Sequence, residues 1–192
     1  IDHKYDSLLW ESGSGVSVNN TLSINPPSKN VASFDGISSN GSPYSIDNLL
    51  AYGAVDTLTS RSVLLGGLTS ADSLYLSFFW QATGFVEAPD SNDSLSVLFL
   101  DKNGDWNVVW NRSGEGVQTD FVQEKIVVIN EDYFHDGFKF RFQAYGRKSG
   151  MYDLWHIDYV DLNKNRSVTD VDPNNDITCL SIKNSYFKRF FT

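Results

Sequence analysis

The sequence predicts an all-β protein, an antiparallel β-sandwich of the jelly-roll type, and three observations support this prediction. Apolar and polar residues alternate along several segments, as in strands that cover a core with one face. Aromatic residues make up 14% of the 192 residues and there is one methionine, a composition that favours strands over helices. Loops rich in Gly, Ser, Asn and Asp separate the alternating segments, and no segment of helical length has an apolar stripe.

The clearest alternation lies in residues 138–145. Phe138, Phe140 and Phe142 point to one face, while the opposite, half-solvated face carries Lys139, Arg141, Gln143 and Tyr145. Residues 94–100 form another strand, and the Asn-Gly turn after it begins a hairpin whose second strand has Trp106, Val108 and Trp110 on one face. The remaining predicted strands are residues 31–34, 61–65, 73–80, 121–129 and 155–162, and residues 49–54 could form one short helical turn.

The alternation ends near Asn163, which divides the chain into a jelly-roll domain at 1–163 and an extension at 164–192. The extension is polar first and then aromatic, and we expect its aromatic end to dock on the sandwich, on a partner or on a following domain. The chain begins at Ile1 rather than methionine and has no signal-peptide core. A mature secreted protein is therefore the simpler expectation, and a fragment is the alternative.

Charge excludes two classes of partner. The 15 basic and 24 acidic residues leave a net charge of −9, and no basic run is longer than the two residues Lys188 and Arg189. A nucleic acid requires a basic stripe, and an anionic membrane would repel this chain, so neither nucleic acid binding nor direct membrane insertion is expected. The single cysteine, Cys179, excludes an internal disulfide and zinc sites built on paired cysteines.

The sequence offers no recognisable catalytic constellation, so we expect a protein that is not an enzyme. None of the three histidines lies near a nucleophile motif, and no serine has a Gly-x-Ser-x-Gly context. A glycosidase needs two carboxylates that face each other, whereas the five glutamates are scattered through loops and strand ends.

Acidic residues make a cation site more plausible than catalysis. Residues 89–94 cluster oxygen ligands of the kind calcium prefers, and Asp35, Asp153 and Asp158 add others, although the alternative is a solvated acidic turn. Asp158 lies inside an apolar strand, where a buried carboxylate needs a partner. That partner is either an arginine, with Arg141 the favoured one among Arg61, Arg141 and Arg147, or a metal ion.

Aromatic side chains near residues 146–150 are the best candidates for ligand binding. Most tryptophans lie in predicted strands and are expected to pack in the core. Tyr145, Tyr152 and Trp155 surround a loop, where binding residues of a rigid sandwich are commonly placed, and they are the predicted ligand-binding residues.

The pattern Asp-Ser/Thr-Leu occurs four times and is similar to the O-glycosylation acceptor sequence of secreted Bacteroidota proteins. The residues that would carry the glycan are Ser7, Thr57, Ser73 and Ser94. The alternative is that Asp-Ser simply begins strands.

Several segments in order resemble a known family. Val-Ala-Ser-Phe-Asp-Gly at 31–36 is followed by the aromatic strand at 76–84, by Asp93-Ser94-Leu95 and by Trp-His-Ile-Asp-Tyr-Val at 155–160. Together they resemble the N-terminal MAM-like, concanavalin A-like jelly-roll domain of Bacteroidota surface proteins linked to type IX, or gliding-associated, secretion. The resemblance covers residues 6–163.

The resemblance implies a secreted or outer-surface adhesion domain that contacts protein or glycan. Alternatives are a carbohydrate-binding module or remnant glycosidase, and an accessory subunit of the type IX outer-membrane translocon. Jelly rolls of this kind often hold a structural Ca²⁺, and the corresponding positions here are Asp35 and Asp158. MAM domains of vertebrates carry disulfides, which this chain cannot form.

Overall fold

A computed structural model of the chain describes residues 6–11, 15–85, 87–116 and 118–169. The predicted aromatic tail and Cys179 lie outside the described residues. Nine strands form the fold: β1 Ser17–Asn19, β2 Val31–Phe34, β3 Tyr52–Thr59, β4 Tyr75–Ala82, β5 Ser94–Leu100, β6 Trp106–Ser113, β7 Gln118–Val127, β8 Phe140–Arg147 and β9 Trp155–Asn163.

The strands form two antiparallel sheets, which confirms the predicted β-sandwich. The five-stranded sheet has the order β1-β2-β9-β4-β7, and the four-stranded sheet has the order β3-β8-β5-β6. Neighbours in the sheets come from distant parts of the chain, as in β2 against β9 and β3 against β8. This non-local pairing is typical of a jelly roll.

Most of the predicted strands are present, but one is wrong. Residues 61–65 form only an isolated bridge, Val63 to Phe138, and the strand of this region is β3, which ends before them. Within residues 49–54 there is a single hydrogen-bonded turn, which Ala51 closes by donating to the Asn48 carbonyl at 3.1 Å, and β3 begins directly after it at Tyr52. The helical structure of the described residues is limited to two 3-10 turns, Ser70–Asp72 and Glu131–Tyr133, and neither could cross a membrane.

Aromatic side chains from both sheets fill the core. Phe78 of β4 is fully buried and meets Phe142 of β8 and Trp110 of β6 edge-to-face, with ring centroids 5.0 and 5.2 Å apart. Trp80 packs on Trp155 with ring centroids 6.1 Å apart. Because edge-to-face pairs add to the burial of large apolar surfaces, packing alone holds the sheets together without a disulfide.

Candidate ligand-binding site

The outer surface of the five-stranded sheet is covered by the loop of residues 20–30. Gln81 of β4 is fully buried, and its amide forms a pair of hydrogen bonds with the backbone of Ile24, at 3.0 and 2.8 Å. Ser28 donates to the Asp158 carboxylate from its backbone nitrogen at 2.8 Å and from its hydroxyl at 2.7 Å. These contacts fix the loop on the sheet, so this part of the surface is closed.

The partner of Asp158 is Ser28, and the predicted pair with Arg141 is wrong. The Asp158 carboxylate also accepts a hydrogen bond from the Tyr159 backbone at 2.8 Å, so both of its oxygens are occupied. Arg141 lies on the other sheet. Burial raises the pKa of Asp158, while the hydrogen bonds from Ser28 oppose this rise.

Asp35 and Asp158 do not form a shared cation site. Phe34 pairs with Trp155 in the ladder of β2 and β9, which places the two aspartates about four residues apart, or roughly 13 Å. The Asp35 carboxylate accepts instead from the Ile37 backbone at 3.0 Å and the Ser17 hydroxyl at 3.4 Å. The two residues named by the family resemblance therefore do not fit one ion.

The outer surface of the four-stranded sheet carries side chains suited to ligand binding, and we call it the polar face. The strand registers place its residues in rows across β3, β8, β5 and β6. Its members are Thr57, Thr59, Ser94, Ser96, Leu98, Trp106, Val108, Asn111, Arg141, Gln143 and Tyr145. Apart from Thr59 and Leu98, which are buried, these residues are exposed or half-buried.

Arg141 and Trp106 form the centre of the polar face. The guanidinium carbon of Arg141 lies 4.1 Å from the centroid of the Trp106 ring, and its Nε donates to the Thr59 hydroxyl at 2.9 Å. Burial lowers the pKa of Arg141, and the charge of Glu11 opposes this effect. Within the described part of the chain Arg141 makes no ion pair, so the side chain is held in place by stacking and one hydrogen bond.

Two amides lie in the next row. Gln143 pairs with Thr57 on one side and with Ser96 on the other, and its own side-chain amide has no hydrogen bond to any described residue. Asn111 of β6 donates to the Ser96 hydroxyl at 2.8 Å. An aromatic ring and polar groups from four neighbouring strands therefore lie together on one surface of the sheet.

The three predicted ligand-binding residues lie in different environments. Tyr145 belongs to the polar face, is 44% exposed and packs edge-to-face on Tyr52 at 5.2 Å. Tyr152 is half-buried with the Arg147 guanidinium 5.2 Å from its ring centroid. Trp155 is 1% exposed on the core side of β9, so the expectation that it offers a free surface is wrong.

Sequence reasoning missed Trp106, because the alternation of its strand assigns it to the core. The register of β5 and β6 shifts between Val97 and Leu98, so that Val97 pairs with Trp110 but Leu98 pairs with Val108. This bulge inserts one residue, Val109, and reverses which face the following residues occupy. Trp110 therefore packs against the core while Trp106 lies on the outside.

An acidic cluster lies beside one end of the polar face. Asp90, Asp93 and Asp153 each place a carboxylate oxygen within 4.8 Å of the others. The Tyr52 hydroxyl donates to Asp93, which is 2% exposed. Burial and the neighbouring charge of Asp93 raise the pKa of Asp153 to about 7. This cluster includes part of the acidic loop that the sequence singled out.

Asp56 is a second buried carboxyl with a raised pKa. Burial raises its pKa to about 7, against the effect of hydrogen bonds from the Tyr44 hydroxyl and from the backbone nitrogens of Asp35 and Gly36. Its environment is a closed hydrogen-bonded turn. Asp56 is therefore structural, although it belongs to one of the four Asp-Ser/Thr-Leu copies.

We expect the ionisation of Asp153 and Asp56 to reduce stability as pH rises from about 4 to about 7, whereas the buried His156, whose pKa burial lowers to about 4, acts in the opposite direction below about pH 6.5. In the unfolded chain Asp153 and Asp56 lose their protons near the ordinary aspartate pKa of 3.8, whereas in the folded chain they keep them up to about 7. At these two residues the folded state binds more protons between these pH values, so their ionisation favours unfolding, and their contribution levels off above pH 7. Urea unfolding at several pH values in this range measures the free energy of unfolding. In Asp153→Asn the change in this free energy between pH 4 and pH 7 should be smaller by roughly 1–2 kcal/mol. If the free energy of unfolding changes with pH equally in the variant and the wild type, the raised pKa of Asp153 is contradicted.

The four predicted glycosylation residues have different surroundings. Ser7 is exposed, while Ser73, Thr57 and Ser94 are half-buried, the last two on the polar face. In three copies the leucine is buried (Leu58, Leu74 and Leu95), and these copies fit the alternation of their strands, whereas Leu8 is 83% exposed. Glycosylation at all four positions stays a prediction.

A separate apolar groove of about 410 Å³ lies at one end of the sandwich. The short segment Leu8 to Trp10 forms one wall, and residues of the two sheets, among them Phe140 and Val160, form the other. Leu8 and Leu64 at its rim are 83% and 77% exposed.

No family model and no curated protein matches this chain. Among solved structures, it is similar to an arabinose-bound GH51 α-L-arabinofuranosidase, with 15% identity over 81% of this chain and a TM-score of 0.50. The chain spans only 22% of the length of that enzyme.

Two carbohydrate-binding modules are also similar. The non-crystalline cellulose-specific module CBM28 has 16% identity over 80% of this chain and 86% of its own, with a TM-score of 0.46. The module CBM27-1 of Caldicellulosiruptor saccharolyticus, solved with mannohexaose, has 15% identity over 76% of this chain and 80% of its own, with a TM-score of 0.46. At such identities the likeness concerns the fold alone, and the fold of this chain is a jelly-roll β-sandwich.

Proposed function

We propose that this chain is a non-catalytic module that binds glycans through the polar face. The supporting observation is the combination of Trp106, the immobilised Arg141 and the Gln143 amide, which no described residue engages, on one accessible sheet surface. A sugar ring has apolar C–H groups on its faces and hydroxyls around its edge. An indole can pack against the C–H groups, while amides and a guanidinium bond to the hydroxyls.

The absence of carboxylates supports binding rather than hydrolysis. None of the eleven residues that define the polar face is an aspartate or glutamate. Glycoside hydrolysis ordinarily needs a pair of carboxyl groups on opposite sides of the scissile bond. Glu11, whose charge acts on Arg141, is paired with Lys139 at 2.6 Å.

Trp106→Ala should weaken glycan binding at least about tenfold, because it removes the stacking surface and releases the Arg141 side chain. A glycan array identifies the sugars bound by the wild-type chain, and calorimetric titration of the best one measures the loss. Phe85→Ala is the matched control, since Phe85 is 73% exposed but follows β4 of the other sheet. No saturable binding to any glycan, or equal affinity in Trp106→Ala, would overturn the proposal.

The secreted or outer-surface location and the type IX link are proposals that rest on the sequence resemblance. A translocon subunit or another protein partner would be recovered with the chain in a pull-down from native membranes. Recovery of the chain alone would count against both kinds of partner.

Calcium binding also stays a prediction from the sequence. If the chain holds a structural calcium ion, its melting temperature rises with added Ca²⁺ and falls with a chelator. A melting temperature that neither addition changes would contradict this prediction.

A further inference from the structure

The central strand of the polar face and its approach carry three positive side chains, of which one has a carboxylate partner among the described residues. Lys139, Arg141 and Arg147 alternate with core residues on β8 and its approach, so they share the outer side of the sheet. Lys139 pairs with Glu11, whereas among the described residues neither Arg141 nor Arg147 has a carboxylate partner. In a chain with a net charge of −9, such a row is unexpected on a surface that serves only solubility.

Arg141 is arranged as a fixed anion receptor. The guanidinium carbon lies over the Trp106 ring and Thr59 accepts a hydrogen bond from Nε, so the group is held in position before any ligand arrives. No described residue accepts a hydrogen bond from its Nη1 or Nη2. Two parallel N–H groups at the end of a planar fork match the two oxygens of a carboxylate.

Partial burial makes the missing partner more significant. A half-buried guanidinium has lost some of its hydration, and this loss lowers the pKa of Arg141. A charge in that position is ordinarily compensated by an opposite charge. Since the described protein supplies none in contact, the compensating charge is expected from a ligand.

We propose that the glycan bound at the polar face is anionic, with a uronic acid whose carboxylate binds end-on to Nη1 and Nη2 of Arg141. This inference rests on the proposed glycan binding and specifies the class of sugar. The Gln143 amide, one row along β8, is then placed for a hydroxyl of the same or the next sugar. Arg147, at the end of β8, extends the favourable charge along the strand.

The acidic surface of the chain does not oppose this assignment at the site. At physiological salt, charges beyond about 8 Å are largely screened, so the local cations dominate. In the nearest acidic cluster the pKa of Asp153 is raised to about 7, so below this pH one of its three carboxyls carries no charge.

Affinity electrophoresis and titration with polygalacturonate test the proposal. Two other polysaccharides serve as comparisons for polygalacturonate: β-1,4-galactan is neutral, and dextran sulfate carries sulfate groups instead of carboxylates. Methyl-esterified polygalacturonate removes the charge of the ligand without changing the protein. We expect Arg141→Gln to weaken polygalacturonate binding at least about tenfold. Arg141→Lys should lose most of the same affinity, because lysine cannot reproduce the fork or the stacking.

Arg166→Gln is the matched control. It removes the same charge at a distant surface, where Arg166 pairs with Asp161 at 2.5 Å, and it should leave binding unchanged. Esterification should weaken binding about as much as Arg141→Gln, and this comparison remains valid even if that variant folds poorly. Preference for dextran sulfate, or equal affinity for the esterified polymer, would overturn the uronate assignment. Binding of galactan alone, unaffected by Arg141→Gln, would overturn it while leaving glycan binding in place, and binding of no polysaccharide would overturn both.

Discussion

Phe78→Ala should reduce the free energy of unfolding by about 3–5 kcal/mol. Phe78 is 0% exposed, and its ring contacts Phe142 and Trp110, both from the opposite sheet. Removing it takes away the buried ring and leaves a cavity between rings that are themselves fixed by edge-to-face contacts. The loss therefore includes both the transfer of apolar surface and the unfilled volume.

The next residue along β4 provides the matched control. Phe79 points to the outer side of the sheet and is only half-buried, and its ring centroid lies 6.3 Å from that of Tyr159. Chemical denaturation of Phe79→Ala should show a clearly smaller loss than Phe78→Ala. Equal losses of unfolding free energy in the two variants would contradict the placement of Phe78 in the core and Phe79 on the outer side of the sheet.

Gly84→Ala should also be strongly destabilising, by about 1–3 kcal/mol or more. A Cβ at this position would lie 2.1 Å from the Leu22 carbonyl oxygen and 2.8 Å from Nε2 of His156. The first atom belongs to the backbone of the loop at 20–30, and the second to a fully buried imidazole. Neither can move without lifting the loop from the five-stranded sheet.

Gly137→Ala is the control for this substitution. Gly137 is exposed, and the atom nearest to an added Cβ there would be Nδ1 of His135, at 3.3 Å. Thermal melts and hydrogen exchange of the loop amides measure the two effects. If Gly84→Ala reduces stability no more than Gly137→Ala does, the close contact between the loop and the five-stranded sheet is wrong.

Strands with a regular apolar alternation could be predicted from the sequence. Val31–Phe34 and Ser94–Leu100 have the predicted bounds, and the outward face of β8 with Arg141 and Tyr145 follows from its phenylalanine pattern. Tyr52–Thr59 was missed because a buried aspartate, Asp56, interrupts its apolar pattern and Gly53 adds no side chain.

The features that decide the site depend on contacts that local sequence does not encode. The bulge that turns Trp106 outward is a property of the pairing between β5 and β6, and neither strand shows it alone. Ser28 reaches Asp158 across 130 positions, from a loop without periodicity. Composition and alternation could therefore identify a half-solvated strand, but not the arginine and tryptophan that meet on it.

A two-dimensional ¹⁵N–¹H spectrum tests most directly whether the polar face binds sugar. The chain is titrated with the oligosaccharide that binds best in the array. We expect the largest shifts at the Trp106 indole, the Arg141 side chain and the Gln143 amide, with little change at Ser28. Shifts centred instead on Leu8 and Leu64 of the apolar groove, or no localised shifts at saturation, would contradict the assignment of the polar face.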